Sequence, residues 1–322
     1  MSLRHQIGRV PMVRAAYVWD QRRRMERALS RARARPTDYH KAILTQTQGN
    51  SLICDALIAG RPYLAGRAGT VELDCITHYV KFRRGSASGK DYPESIVSMM
   101  GNNAGFFPAA DDTLDRFSEE YLAAVRQVDA IAVWFNKGES DLAREFCPGA
   151  DLIALRSLEP YYHQDPWSVE LAGKRVLVIH PFADSISENY QQRRRLLFED
   201  PRVLPEFELH VLKAVQSIAG EPTEFASWFH ALDHMKAGME AVDFDVCIVG
   251  AGAYGLPLAA HAKKLGKVAI HLGGATQILF GIRGGRWDNH EVISKLINEH
   301  WTRPRASETP RRPDKVEDGA YW

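Results

Sequence analysis

The sequence predicts an α/β protein, a mainly parallel sheet with helices on both faces, and three observations carry that prediction. From residue 175 onward, short apolar runs alternate with longer helix-like stretches, the order expected of βαβ units. One run, Val176-Leu177-Val178-Ile179, is apolar without a break, as a strand buried on both faces requires. Two later runs pass straight into glycine loops, Gly250-Ala251-Gly252-Ala253-Tyr254-Gly255 and Gly273-Gly274-Ala275-Thr276-Gln277.

Taken in order, residues 11–33 read as a helix with an intermittent stripe of Met12, Ala15, Val18, Met25 and Leu29, ending before Pro36. Residues 50–59 read as a short helix and 62–67 as a strand. Gly69 turns the chain into a helix carrying Val71, Leu73, Cys75, Ile76 and Tyr79, and the polar stretch 84–93 reads as a loop. An amphipathic helix is predicted over 113–126, and strands over 130–135 and 152–155. After the strand at 175–180 come a helix over 185–198, a strand over 208–212 and a helix over 223–241. The last two strands, 243–249 and 268–272, lead into the glycine loops. Residues 302–322 carry Pro304, Pro310 and Pro313 among charges and read as an extended tail. Its apolar Tyr321 and Trp322 are expected to pack back on the body. The chain thus divides into a basic N-terminal helical extension (1–50), an α/β catalytic domain (51–301) and a C-terminal tail (302–322).

At 322 residues, 45% apolar and 25% charged, the composition is that of a soluble globular protein. A net charge of +1 calls for no nucleic-acid partner. The first 36 residues are the exception, with ten Arg against Asp20 and Glu26. No apolar run approaches the roughly 18 residues of a membrane span, and no signal-like segment follows Met1. Cys54, Cys75, Cys147 and Cys247 lack the C-x-x-C spacing of a zinc site or redox motif. A cytoplasmic protein is expected. H-E-x-x-H, G-x-S-x-G and P-loop patterns are absent.

Four clusters fall where an open α/β sheet presents ligands, at the C-terminal ends of strands. The first is Gly66-Arg67-Ala68-Gly69-Thr70-Val71-Glu72, a glycine turn with a carboxylate in the first helical turn. Glu72 there suits either a site or simple complementation of the helix dipole. The second is His180 at the end of the 175–180 strand, followed by Ser185, which suits an N-cap. The run Arg193-Arg194-Arg195 on the next helix is a solvated face, or supplies one guanidinium to a diphosphate. The third, Gly101-Asn102-Asn103-Ala104-Gly105, suits a sugar contact or a tight turn. The fourth is the pair of glycine loops, with Gly250, Gly252, Tyr254, Gly255, His271, Gly273, Gly274, Thr276 and Gln277. Backbone N–H groups at such turns suit phosphate. Gly250, Gly252 and Gly255 also match G-x-G-x-x-G, but no acid lies between Leu256 and Gly285 to hold a ribose. An NAD(P)-dependent oxidoreductase is therefore disfavoured.

The pattern Arg67-x-Gly69-x-x-Glu72 is similar to the signature of the GT-D-fold glycosyltransferases. The Val249–Gly255 loop and His271-Leu272-Gly273-Gly274 resemble the C-terminal part of those enzymes. A closer resemblance is to uncharacterised proteins of bacterial surface-polysaccharide gene clusters. Those share His271 to Gln277, Phe280-Gly281-Ile282, Arg286-Trp287 and Tyr321-Trp322. The resemblance implies a Rossmann-like, GT-D-like sheet and sugar transfer from a nucleotide diphosphate sugar. It also implies a D-x-E associated with that donor and a divalent metal. Here Thr70 stands in the Asp position and only Glu72 is left, so dependence on Mn²⁺ or Mg²⁺, with Glu72 as ligand, is in doubt.

The expectation is a glycosyltransferase of polysaccharide or glycolipid assembly with a glycan or lipid-linked acceptor. Glu72 would be base or metal ligand, and Arg67 would orient it or hold the diphosphate. The glycine loops would cradle phosphates, with His180 and His271 as polar contacts. Asn102 and Asn103 would read a sugar. The basic N-terminal helix suits peripheral contact with an anionic membrane face, or a solvated or dimer surface. A homo-oligomer is left open. The alternative is a non-catalytic nucleotide- or sugar-binding protein of the same fold.

Overall fold

The structure, a computed structural model, describes residues 34–86 and 89–322. The helix expected over 11–33 lies outside them. The described strands are β1 (Tyr63–Gly66), β2 (Ala130–Val133), β3 (Asp151–Ala154), β4 (Arg175–His180), β5 (Glu208–Lys213), β6 (Val246–Val249) and β7 (Val268–His271). They form one sheet in the order β3-β2-β1-β7-β6-β4-β5, and every neighbouring pair is parallel. This is the expected Rossmann-like α/β architecture.

The alternation within β4 shows why helices cover both faces. Leu177 and Ile179 enter one core, while Val176 and Val178 enter the other. The first core is completed by α2 (Thr70–Phe82), α4 (Asp111–Val125), α5 (Glu139–Phe146), α7 (Trp228–Glu240) and α8 (Gly255–Lys264). The opposite core takes α1 (Gln46–Ala59), α6 (Ala183–Arg193), α9 (Thr276–Leu279) and α10 (Ile293–Leu296). A further helix, α3 (Glu94–Asn102), precedes the cluster at Asn103 to Gly105.

Several boundaries differ from the sequence reading for local reasons. The first described helix begins at Gln46, where Thr45 and Gln48 form a reciprocal cap. Gly49 sits inside that helix because a Cβ would lie 2.7 Å from Ser157 Cβ. The helix after β4 ends at Arg193, and Arg194–Leu196 form a 3-10 turn. Helices α3 and α5 fall where none was expected. Residues 302–322 fold into short turns across the C-terminal edge of the sheet. There Gln277 Nε2 donates to Tyr321 O (3.3 Å) and Arg303 Nη1 to Trp322 O (2.9 Å). Tyr321 and Trp322 pack on the body, as their apolar character suggested.

Candidate functional site

Strands β1, β7, β6 and β4 are consecutive neighbours, so their C-terminal ends deliver four loops to one place. There they enclose a cavity of about 200 Å³. Arg67, Gly69, Thr70 and Glu72 come from the turn between β1 and α2. His180 comes from β4, and Gly250, Gly252 and Tyr254 follow β6. His271, Gly273, Gly274 and Gln277 follow β7, and Asn103 comes from the end of α3. Four expected residues are not on this wall. Gly66 and Gly255 pack against the His271 ring, and Thr276 lies behind Gly250. Asn102 faces a separate surface groove and donates to Lys315 O (2.7 Å).

The glycines serve close packing between the loops. A Cβ on Gly250 would stand 2.5 Å from Gly273 O and 2.8 Å from His180 Cδ2. One on Gly255 would stand 2.7 Å from His271 Cδ2, and one on Gly273 would stand 2.6 Å from Arg67 Nη2. The Arg67 guanidinium therefore lies directly on the β7 loop.

Both histidines are committed to the architecture. His271 Nδ1 donates to Arg67 O (3.0 Å), tying the end of β7 to the end of β1. Burial, and after it the charge of Arg67, lower its pKa to about 3. His180 Nδ1 accepts from Phe182 N (3.0 Å), and burial likewise lowers its pKa to about 3. Neither ring carries charge at neutral pH. The phosphate contact expected of them is thus without a cationic component.

Two arginines line the cavity, Arg67 and Arg286, and Arg67 is the one beside the β7 loop. The Arg67 guanidinium stacks 4.6 Å from the Trp134 ring centroid. Among the described residues no carboxylate lies within 4.0 Å of it. Trp134 is held by the buried Glu139. Its Oε2 accepts from Trp134 N (2.9 Å), Phe135 N (2.7 Å) and Tyr39 Oη (2.6 Å). These bonds hold Phe135 at φ +62°, a conformation costly for a non-glycine residue.

Three strand-to-helix turns already carry a carboxylate. Glu139 serves the turn after β2. Glu72 folds back over Gly69 at the start of α2, its Cδ 2.8 Å from where a Cβ on that glycine would be. Glu308, from the tail, accepts from Asp184 N (2.8 Å), Ser185 N (3.2 Å) and the Ser185 hydroxyl at the start of α6. Ser185 is thus a partner of Glu308 rather than the cap itself. By contrast, the first turns after β6 and β7 contain no acid. Buried Gln277 Oε1 and Thr276 Oγ1 have no hydrogen-bond partner there among the described residues. These two central turns share the cavity wall with Arg67 and carry no carboxylate of their own.

Glu72 is 8% exposed. Burial raises its pKa, Arg67 pulls it down, and Glu317 pushes it up. The donor set does not fit a divalent cation. Asp74 is exposed, the Thr70 hydroxyl is a poor ligand, and Arg67 places positive charge close to Glu72. Among the described residues no three His, Cys, Asp or Glu side chains gather to hold an ion. Arg193 pairs with Glu188, and Arg194 and Arg195 with Glu206, away from the cavity.

Sequence reasoning missed Trp134, the loop from Val215 to Ile218, Arg286 and Glu317, all on the wall. The 130–135 apolar run hid Trp134 as a strand residue. Arg286 and Tyr321 stood out only as parts of a shared pattern.

Residues 160–279 match the family model of a GT-D fold-like domain. That span holds β4 to β7 with His180 and both glycine loops, and excludes Arg67 and Glu72. Two solved structures are similar at 14% identity over 72% of this chain. One is described as "the highly conserved domain of unknown function 1792", with "a distinct glycosyltransferase fold"; it is covered over 77% with a TM-score of 0.40. The other is a selenomethionine-substituted structure of domain of unknown function 1792, covered over 78% with a TM-score of 0.33. No curated protein matches the chain.

Proposed function

We propose that the protein is a glycosyltransferase that takes its sugar from a nucleotide diphosphate sugar. The observation that carries this reading is the placement of Arg67. An arginine with no carboxylate partner among the described residues is stacked on Trp134 and laid against the acid-free turn after β7, on the same cavity wall as the acid-free turn after β6. A planar guanidinium matches phosphate oxygens bidentately and offsets charge that develops on a departing diphosphate. Glu72, raised by burial, is the proton acceptor. The acceptor hydroxyl oxygen bonds to the anomeric carbon, and the bond from that carbon to the diphosphate oxygen breaks. The hydroxyl proton passes to Glu72, and the nucleoside diphosphate departs on Arg67. No step is routed through a metal.

The acceptor in this reading is a glycan or lipid-linked sugar of surface-polysaccharide or glycolipid assembly. Among the described residues no helix is long and apolar enough to cross a membrane. The arginine-rich residues 1–36 would then contact an anionic leaflet. Unchanged binding to phosphatidylserine vesicles after their deletion would sink that part.

Thr70 and the folded-back Glu72 favour a second reading, donor binding without transfer. β7 ends in His271 rather than in an acid, which leaves a dinucleotide without its ribose ligand. The deciding experiment assays transfer from a panel of nucleotide sugars by wild type and Glu72→Gln. Loss of about 100-fold or more in turnover with donor affinity kept supports the base role. Full activity of Glu72→Gln removes Glu72, and binding without turnover in wild type favours the second reading.

A further inference from the structure

Arg286 lies on the cavity wall, and its guanidinium is already engaged. It pairs with the Glu317 carboxylate, and Nη1 donates to Tyr321 Oη (3.1 Å). Its backbone N–H donates to Ala320 O (2.9 Å). The segment 316–322 thus rests on Arg286 and contributes Val316, Glu317, Tyr321 and Trp322 to the same wall as Arg67.

Three further observations bear on what Glu317 does there. Its side chain lines the cavity, and its charge raises the pKa of Glu72. Glu317 and Asp318 hold φ of +47° and +56°, a backbone that non-glycine residues adopt only when their surroundings impose it. The cavity of about 200 Å³ falls short of the roughly 300–1,000 Å³ of pockets that enclose a ligand of drug size. A nucleotide sugar is at least that large. Of the elements on the wall, the strand ends are fixed by the sheet. The 316–322 segment is held at Ala320 to Trp322 by hydrogen bonds from Gln277, Gly285, Arg286 and Arg303, whereas the Glu317 side chain is held by one ion pair, each partner about one-third exposed.

We propose that Arg286 is a second diphosphate-binding residue and that Glu317 is the internal anion occupying it until the donor arrives. This rests on the donor-binding reading above. When the diphosphate enters, Arg286 exchanges the carboxylate for phosphate oxygens. The Glu317 side chain swings away from Arg286, and the cavity enlarges on that side. Arg67 and Arg286 then hold the diphosphate between them.

The test is calorimetric titration of the full chain with inorganic pyrophosphate and with a panel of nucleoside diphosphates. Glu317→Gln removes the competing charge and keeps the side-chain volume. It should tighten binding about fivefold, the factor equivalent to one partly exposed ion pair. Arg286→Gln should weaken binding by roughly tenfold or more. Asp314→Asn, in the same tail but paired with Arg312 outside the cavity, should leave it unchanged. Equal tightening by Asp314→Asn would reduce the effect to general charge and overturn the proposal. So would Arg67-dependent binding that ignores both Glu317→Gln and Arg286→Gln, while leaving the donor reading intact. Absence of binding in wild type and in Glu317→Gln would remove both readings. Binding seen only in Glu317→Gln would support the exchange most strongly.

Discussion

Lowering the pH from 7.5 to 5 should destabilise the protein through His180 and His271, and the size of the effect follows from their burial. They are 4% and 5% exposed, and each has a native pKa of about 3. The unfolded value is about 6.5. A histidine whose native pKa is depressed contributes nothing against folding above about 6.5. Stability is lost as the pH falls from there toward about 3, because the unfolded chain binds protons that the native chain refuses. At pH 5 the native value no longer matters. The cost is set by protonation of the unfolded chain, about 2 kcal/mol per histidine and about 4 kcal/mol for the two. That is a large share of the roughly 5–15 kcal/mol typical of a domain. The assay is urea unfolding of wild type, His180→Asn and His271→Asn at pH 7.5, 6 and 5. Asparagine keeps an acceptor for Phe182 N and a donor for Arg67 O. Each variant should lose about 2 kcal/mol less than wild type between pH 7.5 and 5. Comparison with wild type subtracts other groups, including Glu72, whose raised pKa acts in the opposite direction. Identical pH slopes in variant and wild type would refute the reasoning.

Two further substitutions probe the supports of the site. Gly255→Ala should destabilise by about 1–3 kcal/mol, because its Cβ would meet His271 Cδ2 at 2.7 Å and that ring is tied to Arg67. An unchanged melting temperature would contradict this. Glu139→Ala should cost about 3 kcal/mol by stranding Trp134 N–H, Phe135 N–H and the Tyr39 hydroxyl. Glu139→Gln keeps an acceptor and should cost less, so the reverse order in urea unfolding would count against the assigned role.

Much of the fold was legible because the central strands are buried on both faces. Val176 to Ile179 and Val268 to Ile270 form unbroken apolar runs that only interior strands tolerate. Helix α3 was not legible, since it spans only nine residues and buries only Met100 fully, with Ile96 and Val97 half-buried beside it. The eight-residue α5 is too short to show a period with certainty. For the site, the turns after β1, β4, β6 and β7 could be picked out individually as glycine- or histidine-bearing strand ends. Their convergence depends on β1 pairing with β7, a contact across some two hundred residues that no local pattern encodes. The same holds for Glu317 and Arg286, which reach the cavity only because the tail folds back. Asn102 shows the opposite failure. The chemistry of an amide beside glycines suggested a sugar contact, but the helix end turns it toward Lys315 O.

The central claim is that Arg67 and the two acid-free turns bind the diphosphate of a donor. The most direct measurement is calorimetric titration of wild type and Arg67→Gln with the set of nucleoside diphosphates, at low and moderate salt. The account predicts that wild type binds one of them, more tightly at low salt. It predicts a loss of roughly tenfold to a hundredfold in Arg67→Gln, the worth of charge-assisted hydrogen bonds. Equal affinity in wild type and Arg67→Gln, or no binding of any nucleoside diphosphate by wild type, would contradict it.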